Sequence, residues 1–503
     1  MSVKSVNNVT SKAAPRLCWH LLPGVLMVMT AFSLANAQLL PGSYDPFSAM
    51  PAVANTGVIL PGDNAVFACQ ALTGTDQALN LSDILDLALC NNPQVKVALA
   101  GIRQRASAVG EARGANWPTL AATVSRLKNS TANEDFPASN TSRTGKTTSL
   151  NLTWRLLDSG GRKANQDAAS HMLLAAVAGH EAALQKMLAA VVRAYFEALT
   201  AKSMVDLKLE TVRLTAATLS SARQRESKGV AAASDVLQTQ TALLKEQISE
   251  QRATSDYRKA LAALVNAMGV TAGTPLVLSE RVDDEALAAT IRPAADWLAY
   301  AQTTHPAIAS AQAQLAEVKK RVVAARSEGL PSLDMTGAYY KNGSPSQGLA
   351  ASQSTVKNIG VVLNVPIFDG FARTYKVRGV QAQVEQLEAQ LQEAAYQVQT
   401  QISQSHADAE AARRNLAPSA DLLRVAKQSV ATSTRRYERG VADIQELLNA
   451  QSALTQASQE RLRCLIDWRS ARLQLLAYAG LLGRSRAMSA GEDVLPTPVL
   501  KSP

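Results

Sequence analysis

SLNLTWRLLDSGGR, residues 149–162, and NIGVVLNVPIFDGFAR, residues 358–373, decide the fold. In the first, Leu150, Leu152, Trp154 and Leu156 alternate with Ser149, Asn151, Thr153 and Arg155. In the second, Ile359, Val361, Leu363, Val365 and Ile367 alternate in the same way. A period of two predicts strands with one apolar and one polar face. Each strand ends in a Gly-containing turn, and the pattern then changes completely. From Arg162 to Lys228 there is no Pro, and Gly179 is the single Gly; from Arg373 to Arg439 there is one Gly, Gly379, and one Pro, Pro418. In the second run Val377, Val380, Val384, Leu387, Leu391, Ala394, Val398 and Ile402 keep coiled-coil spacing. A helix of about 67 residues is roughly 100 Å long at 1.5 Å per residue, so it must pack along other rods.

The two stretches belong to a duplication. Asn92-Pro93, Trp117-Pro118, Gly229-Val230 and Met268-Gly269 recur as His305-Pro306, Leu330-Pro331, Gly440-Val441 and Ala479-Gly480. The offset is 213 from Pro118 to Pro331 and 211 from Asp158 to Asp369 onward. Each half reads as helix, hairpin, long helix, sharp turn and returning helix. The first half spans 81–270, with its hairpin at about 118–158 and its long helix at about 160–228. The second spans 294–482, with its hairpin at about 331–369 and its long helix at about 370–439. Residues 1–37, 38–80, 271–293 and 483–503 are leader, irregular segment, linker and tail. Ser82 is the expected N-cap of the first helix. The hairpin strands should have about 10–13 residues and enclose long polar loops, Asn129–Lys146 and Lys341–Lys357. Pro418, whose repeat mate is Leu207, should kink the second rod.

Composition agrees with rods rather than large globular cores: 47% of residues are hydrophobic but only 4% aromatic. Lys4, Lys12 and Arg16, the apolar run Leu21–Leu34 and Ala35-Asn36-Ala37 form a secretory signal. The formal charge is +10, of which those three basic residues carry three, leaving +7 on the remainder. Export permits a disulfide, and Cys69 and Cys90, close together around the start of the first helix, are its candidates. Cys464 reads as a buried free thiol. The five histidines are scattered, so no metal site, cofactor, catalytic constellation or nucleic-acid motif is expected.

Four strands cannot close a barrel, and open edges are not tolerated in lipid. Hairpins placed in a bilayer must therefore be pooled between chains. Two chains would give eight strands and a filled interior; three would give twelve and an open lumen. The order of these landmarks resembles the TolC family of outer-membrane channels over about 81–482. Cys69 and the run Ala88-Leu89-Cys90-Asn91-Asn92-Pro93 look like its CyaE-type branch, associated with type I secretion. The resemblance implies a mainly α fold with a membrane β-barrel. It also implies a homotrimer with a twelve-stranded barrel in the outer membrane and a helical tunnel across the periplasm. Its partners would be outer-membrane lipid, a periplasmic adaptor, and an inner-membrane ABC or proton-driven transporter. The chain would be a passive duct for protein or small molecules, not an enzyme. The competing reading is a periplasmic coiled-coil adaptor without a pore.

The resemblance points to the rod ends as a periplasmic aperture built from Asp235, Gln238, Tyr437, Glu446 and Asn449. Asp235 and Glu446 are repeat mates, as are Gln238 and Asn449, and a trimer would bring six carboxylates to one height. Family members carry acids at both Glu446 and Asn449 and an arginine at Ala442. This chain therefore lacks that arginine, and Arg225, Arg436 and Arg439, near in sequence, are read either as its replacement or as solvated tip charges. Gly229, Val230, Gly440 and Val441 form the tips expected to dock the adaptor.

Overall fold

A computed structural model of the chain describes residues 45–51, 78–132, 141–271, 276–278, 291–342 and 353–482. It forms two units, Met1–Ser48 and Ala49–Pro503. Of the first unit only a turn is described, closed by Ser48 N donating to Asp45 O at 3.2 Å. All elements below belong to the second.

The helices come in matched pairs. α1 (Leu81–Asn91) and α5 (Ala294–Thr304) have 11 residues each. α2 (Pro93–Gly114) and α6 (Pro306–Ser327) have 22, and the rods α3 (Gly161–Ser227) and α7 (Ala372–Glu438) have 67. The returning helices α4 (Ala233–Met268) and α8 (Ile444–Tyr478) have 36 and 35. β1 (Ala78–Leu79) pairs in parallel with β4 (Val277–Leu278). α3 packs against α2, α4, α6 and α8, and α7 against α5, α6 and α8. The main core lies midway along the rods, where Leu188 and Leu199 of α3 meet Ile84 of α1, Leu264 of α4, Trp297 of α5 and Ile466 of α8. The coiled-coil seam of α7 faces inward, and Val398 and Ile402 are fully enclosed.

One N-cap differs from the sequence expectation. Asn80, not Ser82, caps α1: its side chain accepts from Asp83 N, and the Asp83 carboxylate accepts from Asn80 N, both at 3.1 Å. Ser82 is buried in the first turn and donates its hydroxyl to Asn80 Oδ1. Both residue types cap well, and the reciprocal box with Asp83 favours the earlier one.

The Asn-Pro and His-Pro steps are tertiary knots. Asn92 caps α2 by accepting from Gln94 N at 2.8 Å and donates to Ala267 O, at the end of α4, at 2.9 Å. His305 caps α6 by accepting from Ala307 N at 3.2 Å and bonds the Tyr478 backbone, at the end of α8. Each returning helix then ends in a glycine with positive φ, 72° at Gly269 and 74° at Gly480. A Cβ on Gly269 would lie 2.7 Å from Asn92 Cα, so the residue serves both the left-handed cap and the close approach.

His305 makes one knot sensitive to acid. Its ring is buried, which pushes its pKa down, and the Tyr478 bond only partly offsets this. The neutral ring is therefore the folded form. Its contribution is complete above the ring's unfolded pKa and is lost as pH falls through the depressed folded value. His305→Asn, which installs the repeat mate, should keep both bonds without titrating. The apparent unfolding temperature of purified H305N should fall less than wild type between about pH 7 and pH 5. Equal falls would place the acid sensitivity elsewhere, for example at buried His180, whose pKa is shifted in the same direction.

The four long strands form one antiparallel sheet in the order β2 (Thr119–Thr131), β3 (Thr141–Leu157), β5 (Ser332–Lys341), β6 (Thr355–Asn364). β3 runs to 17 residues, longer than expected. Much of Asn129–Lys146 is thus paired strand rather than loop, as in Asn129↔Arg143 and Thr131↔Thr141. Ser and Thr pair there without needing an apolar face. Register places Leu120, Leu152, Gly337 and Ile359 in one cross-strand row, and Ala121, Asn151, Ala338 and Asn358 in the next. The apolar face is open: Leu120, Trp154, Ile359, Val361 and Leu363 are all exposed, as are Ala121, Thr153 and Asn358 of the polar face. On the polar face Thr147 and Ser149 are buried, Ser125 and Thr147 share a hydroxyl bond at 2.6 Å, and Arg155 pairs with Asp334 at 2.8 Å. This sheet is inside out relative to one that covers a soluble core. Trp154, expected in an aromatic belt or at a seam between chains, donates its indole N–H to Asn116 O while its ring stays exposed.

At the sheet–rod junction Asp158 Oδ2 accepts from Arg162 N and Nε, and Asp369 Oδ2 does the same for Arg373. The Asp and Arg shared by the two copies are thus helix-start clamps. Among the described residues Cys464 is the free, buried cysteine. Cys90 is disulfide-bonded, and Cys69, its expected partner, lies outside the described residues. No described helix is long and apolar enough to cross a membrane.

Candidate functional site at the helix tips

Both rods end in the same glycine cap. Gly229 and Gly440 have φ of 74° and 76°. Val230 N bonds Arg225 O at 3.0 Å, and Val441 N bonds Arg436 O at 2.9 Å. These bonds satisfy carbonyls that a helix end leaves without partners. Val230 and Val441 cannot turn inward at such a tight reversal, and they are 62% and 67% exposed.

Behind the turns the two copies part. Arg225 and Arg436 are repeat mates, but they reach different targets. Arg225 crosses from α3 to the end of α7, where its guanidinium lies 4.7 Å from the Tyr437 ring centroid and Nη1 donates to Glu438 O at 3.0 Å. It thereby combines a cation–π contact with a cation at a helix C-terminus. Arg436 stays within its own rod pair and meets Glu446 of α8 at 3.3 Å, where Ser433 Oγ also approaches Glu446 at 3.4 Å. Tyr437 is buried with Ile444 and Leu447. Burial raises the pKa of its hydroxyl, the Arg225 charge opposes that shift, and the Asp235 carboxylate adds to it.

The expected aperture residues thus fall into three settings. Tyr437 is enclosed beneath Arg225. Asp235 and Glu446 stand half-buried in the first turns of α4 and α8, and Glu446 N is capped by Asp443 Oδ1 at 2.7 Å. Gln238 and Asn449 line one cleft of about 460 Å³ between α3, α4 and α8, where Gln445 donates to Asn449 at 2.9 Å. Gln451 lines the same cleft and ties α8 to α3 through Thr218 Oγ1 at 2.8 Å. Its mate Gln240 is exposed, so only the three-dimensional setting separates the two. Among the described residues no group of three His, Cys, Asp or Glu could hold a metal ion.

An inside-out sheet, paired 67-residue rods and capped tips define an outer-membrane channel protein. The chain belongs to the outer membrane efflux protein family, whose model matches residues 84–270 and 297–481. It is 34% identical to Protein CyaE of Bordetella pertussis over 81% of this chain and 85% of that protein. It is 24% identical to the alkaline protease secretion protein AprF of Pseudomonas aeruginosa over 80% and 85%. The CmeC outer membrane channel of Campylobacter jejuni shares the fold, with a TM-score of 0.68, 18% identity and coverage of 80% and 86%. The chain is an outer-membrane export channel that reaches into the periplasm.

Proposed function

We propose that this channel is the exit duct of a type I protein-secretion system and works as a homotrimer. The sheet carries the reading. Its four strands leave β2 and β6 as edges without a partner strand among the described residues, and its apolar face is open to the surroundings. Three copies would join edge to edge into twelve strands around a polar lumen. The similarity to CyaE and to AprF, named for secreting a protease, supports protein cargo over small molecules. In this reading the tips form the periplasmic aperture. Asp235 and Glu446 supply six carboxylates, and Gln238 and Asn449 line the wall beside them. Gly229, Val230, Gly440 and Val441 meet a periplasmic adaptor that joins the duct to an inner-membrane ABC transporter, and that pump selects the cargo.

Deletion and fractionation test this directly. The protein should migrate as a heat-dissociable trimer from outer-membrane fractions, and its deletion should remove a protein from the culture medium. A purely soluble periplasmic monomer would overturn the duct. Hypersensitivity to small toxic compounds with an unchanged secreted set would move the function to efflux. Cysteines placed at Val230 and Val441 should cross-link to the adaptor.

A further inference from the structure

The second rod carries Pro418 inside its continuous helix, and the structure places a buried arginine beside it. Proline has no N–H, so the Arg414 carbonyl loses its helical partner there. Arg461 of α8 is buried and donates Nη1 to Leu416 O at 2.7 Å and to Ser419 Oγ at 3.2 Å. Ser419 Oγ in turn donates to Leu416 O at 2.9 Å. Three polar groups thus bind α8 to α7 at the height of the proline.

The contact between α7 and α8 changes character across this point. On one side Ala409, Ala412 and Leu416 pack on Leu465 and Trp468. Toward the tip, the buried residues of α7 before Tyr437 are Ser419, Ala426 and Ser433, one per heptad. Over the same stretch α8 buries Ala450 and Ala457, while its Gln451 and Thr455 line the cleft toward α3. Such small side chains remove little apolar surface from water, so this stretch is held weakly along its length. Its far end is held by Arg225 on Tyr437 and Glu438. The first rod has no such proline. Leu207 stands opposite Pro418 in the repeat and Glu250 opposite Arg461, and Lys208 ties α3 to α4 through Glu246 at 3.2 Å.

We propose that Pro418 and Arg461 form a pinned hinge, about which Ser419–Glu438 and the adjoining start of α8 swing when the Arg225 contact releases. Arg461 is the pin: it holds the two helices in register while the proline lets α7 bend. The swing rests on the reading of the tips as the closing end of the duct; the hinge itself does not.

Hydrogen exchange and conductance on the purified full-length protein test the two parts separately. Arg461→Met removes the donors, and Pro418→Leu installs the repeat mate and restores the missing backbone N–H. R461M should speed amide exchange in 413–422 by about tenfold and leave 202–211 unchanged, while P418L should slow it. Unchanged exchange in 413–422 in both variants would overturn the hinge. In planar bilayers, R225A should open the channel, and P418L added to R225A should remove most of that gain. A full gain in the double variant would overturn the swing. If R225A alone gains nothing, the tip-closure reading falls, and the exchange result alone judges the hinge.

Discussion

Arg225→Ala is expected to raise the single-channel conductance of the purified channel several-fold and to lengthen its open time. Arg225 joins the first rod pair to the second at the tip, through the Tyr437 ring and the Glu438 carbonyl. A cation–π contact and a charged hydrogen bond of this kind are together worth about 2 kcal/mol at a partly exposed site. The proposed trimer would hold three. Their sum, about 6 kcal/mol, matches the roughly 5.5 kcal/mol needed to move a two-state equilibrium from 1:99 to 99:1. Arg225→Lys keeps the charge but loses the planar stacking surface, so its conductance should lie between wild type and R225A. Arg436→Ala is the control: it breaks a contact within one rod pair, Arg436 to Glu446, and should change conductance much less. Bilayer recordings in which R225A matches wild type would remove Arg225 from closure.

The contrast between Arg225 and Arg436 also shows where sequence reasoning stops. Features set by neighbours along the chain were legible: the alternation in 149–156, the long helices with a single proline between them, and the glycine caps at 229 and 440. Each depends on backbone preferences within a few residues. The targets of the two arginines were not legible. They occupy equivalent places in the duplicated sequence, and only the packing of α3 beside the end of α7 separates them. The same holds for Asn92, whose side chain reaches a carbonyl 175 residues away. Alternation showed that the strands have two faces but not which one is shielded. Pairing continued into Asn129–Thr131 because register, once set by Leu120 and Leu152, carries on without apolar residues. Asn80 against Ser82 was a choice between two good caps, decided by the Asp83 carboxylate.

The assignment of faces leads to the other large effect. Ile359 and Asn358 are neighbours on β6 but stand in different cross-strand rows, Ile359 with Gly337 and Leu152, Asn358 with Ala338 and Asn151. If the open apolar face meets lipid, Ile359→Arg puts a charge near the middle of the bilayer. The penalty there is about 2–4 kcal/mol per chain, or about 6–12 kcal/mol in a trimer. That is comparable to the whole stability of an ordinary domain, so I359R should abolish the heat-dissociable trimer in outer-membrane fractions. Asn358→Arg places the same charge on the polar face. The trimer should survive, and three added cations in the lumen should shift its ion selectivity toward anions. In a sheet covering a soluble core I359R would again be the damaging variant, but N358R would line no lumen and would shift no reversal potential. Trimer yield and reversal potential, measured side by side, therefore decide the orientation of the sheet. A stable trimer in I359R together with loss of the trimer in N358R would invert the assignment and, with it, the barrel.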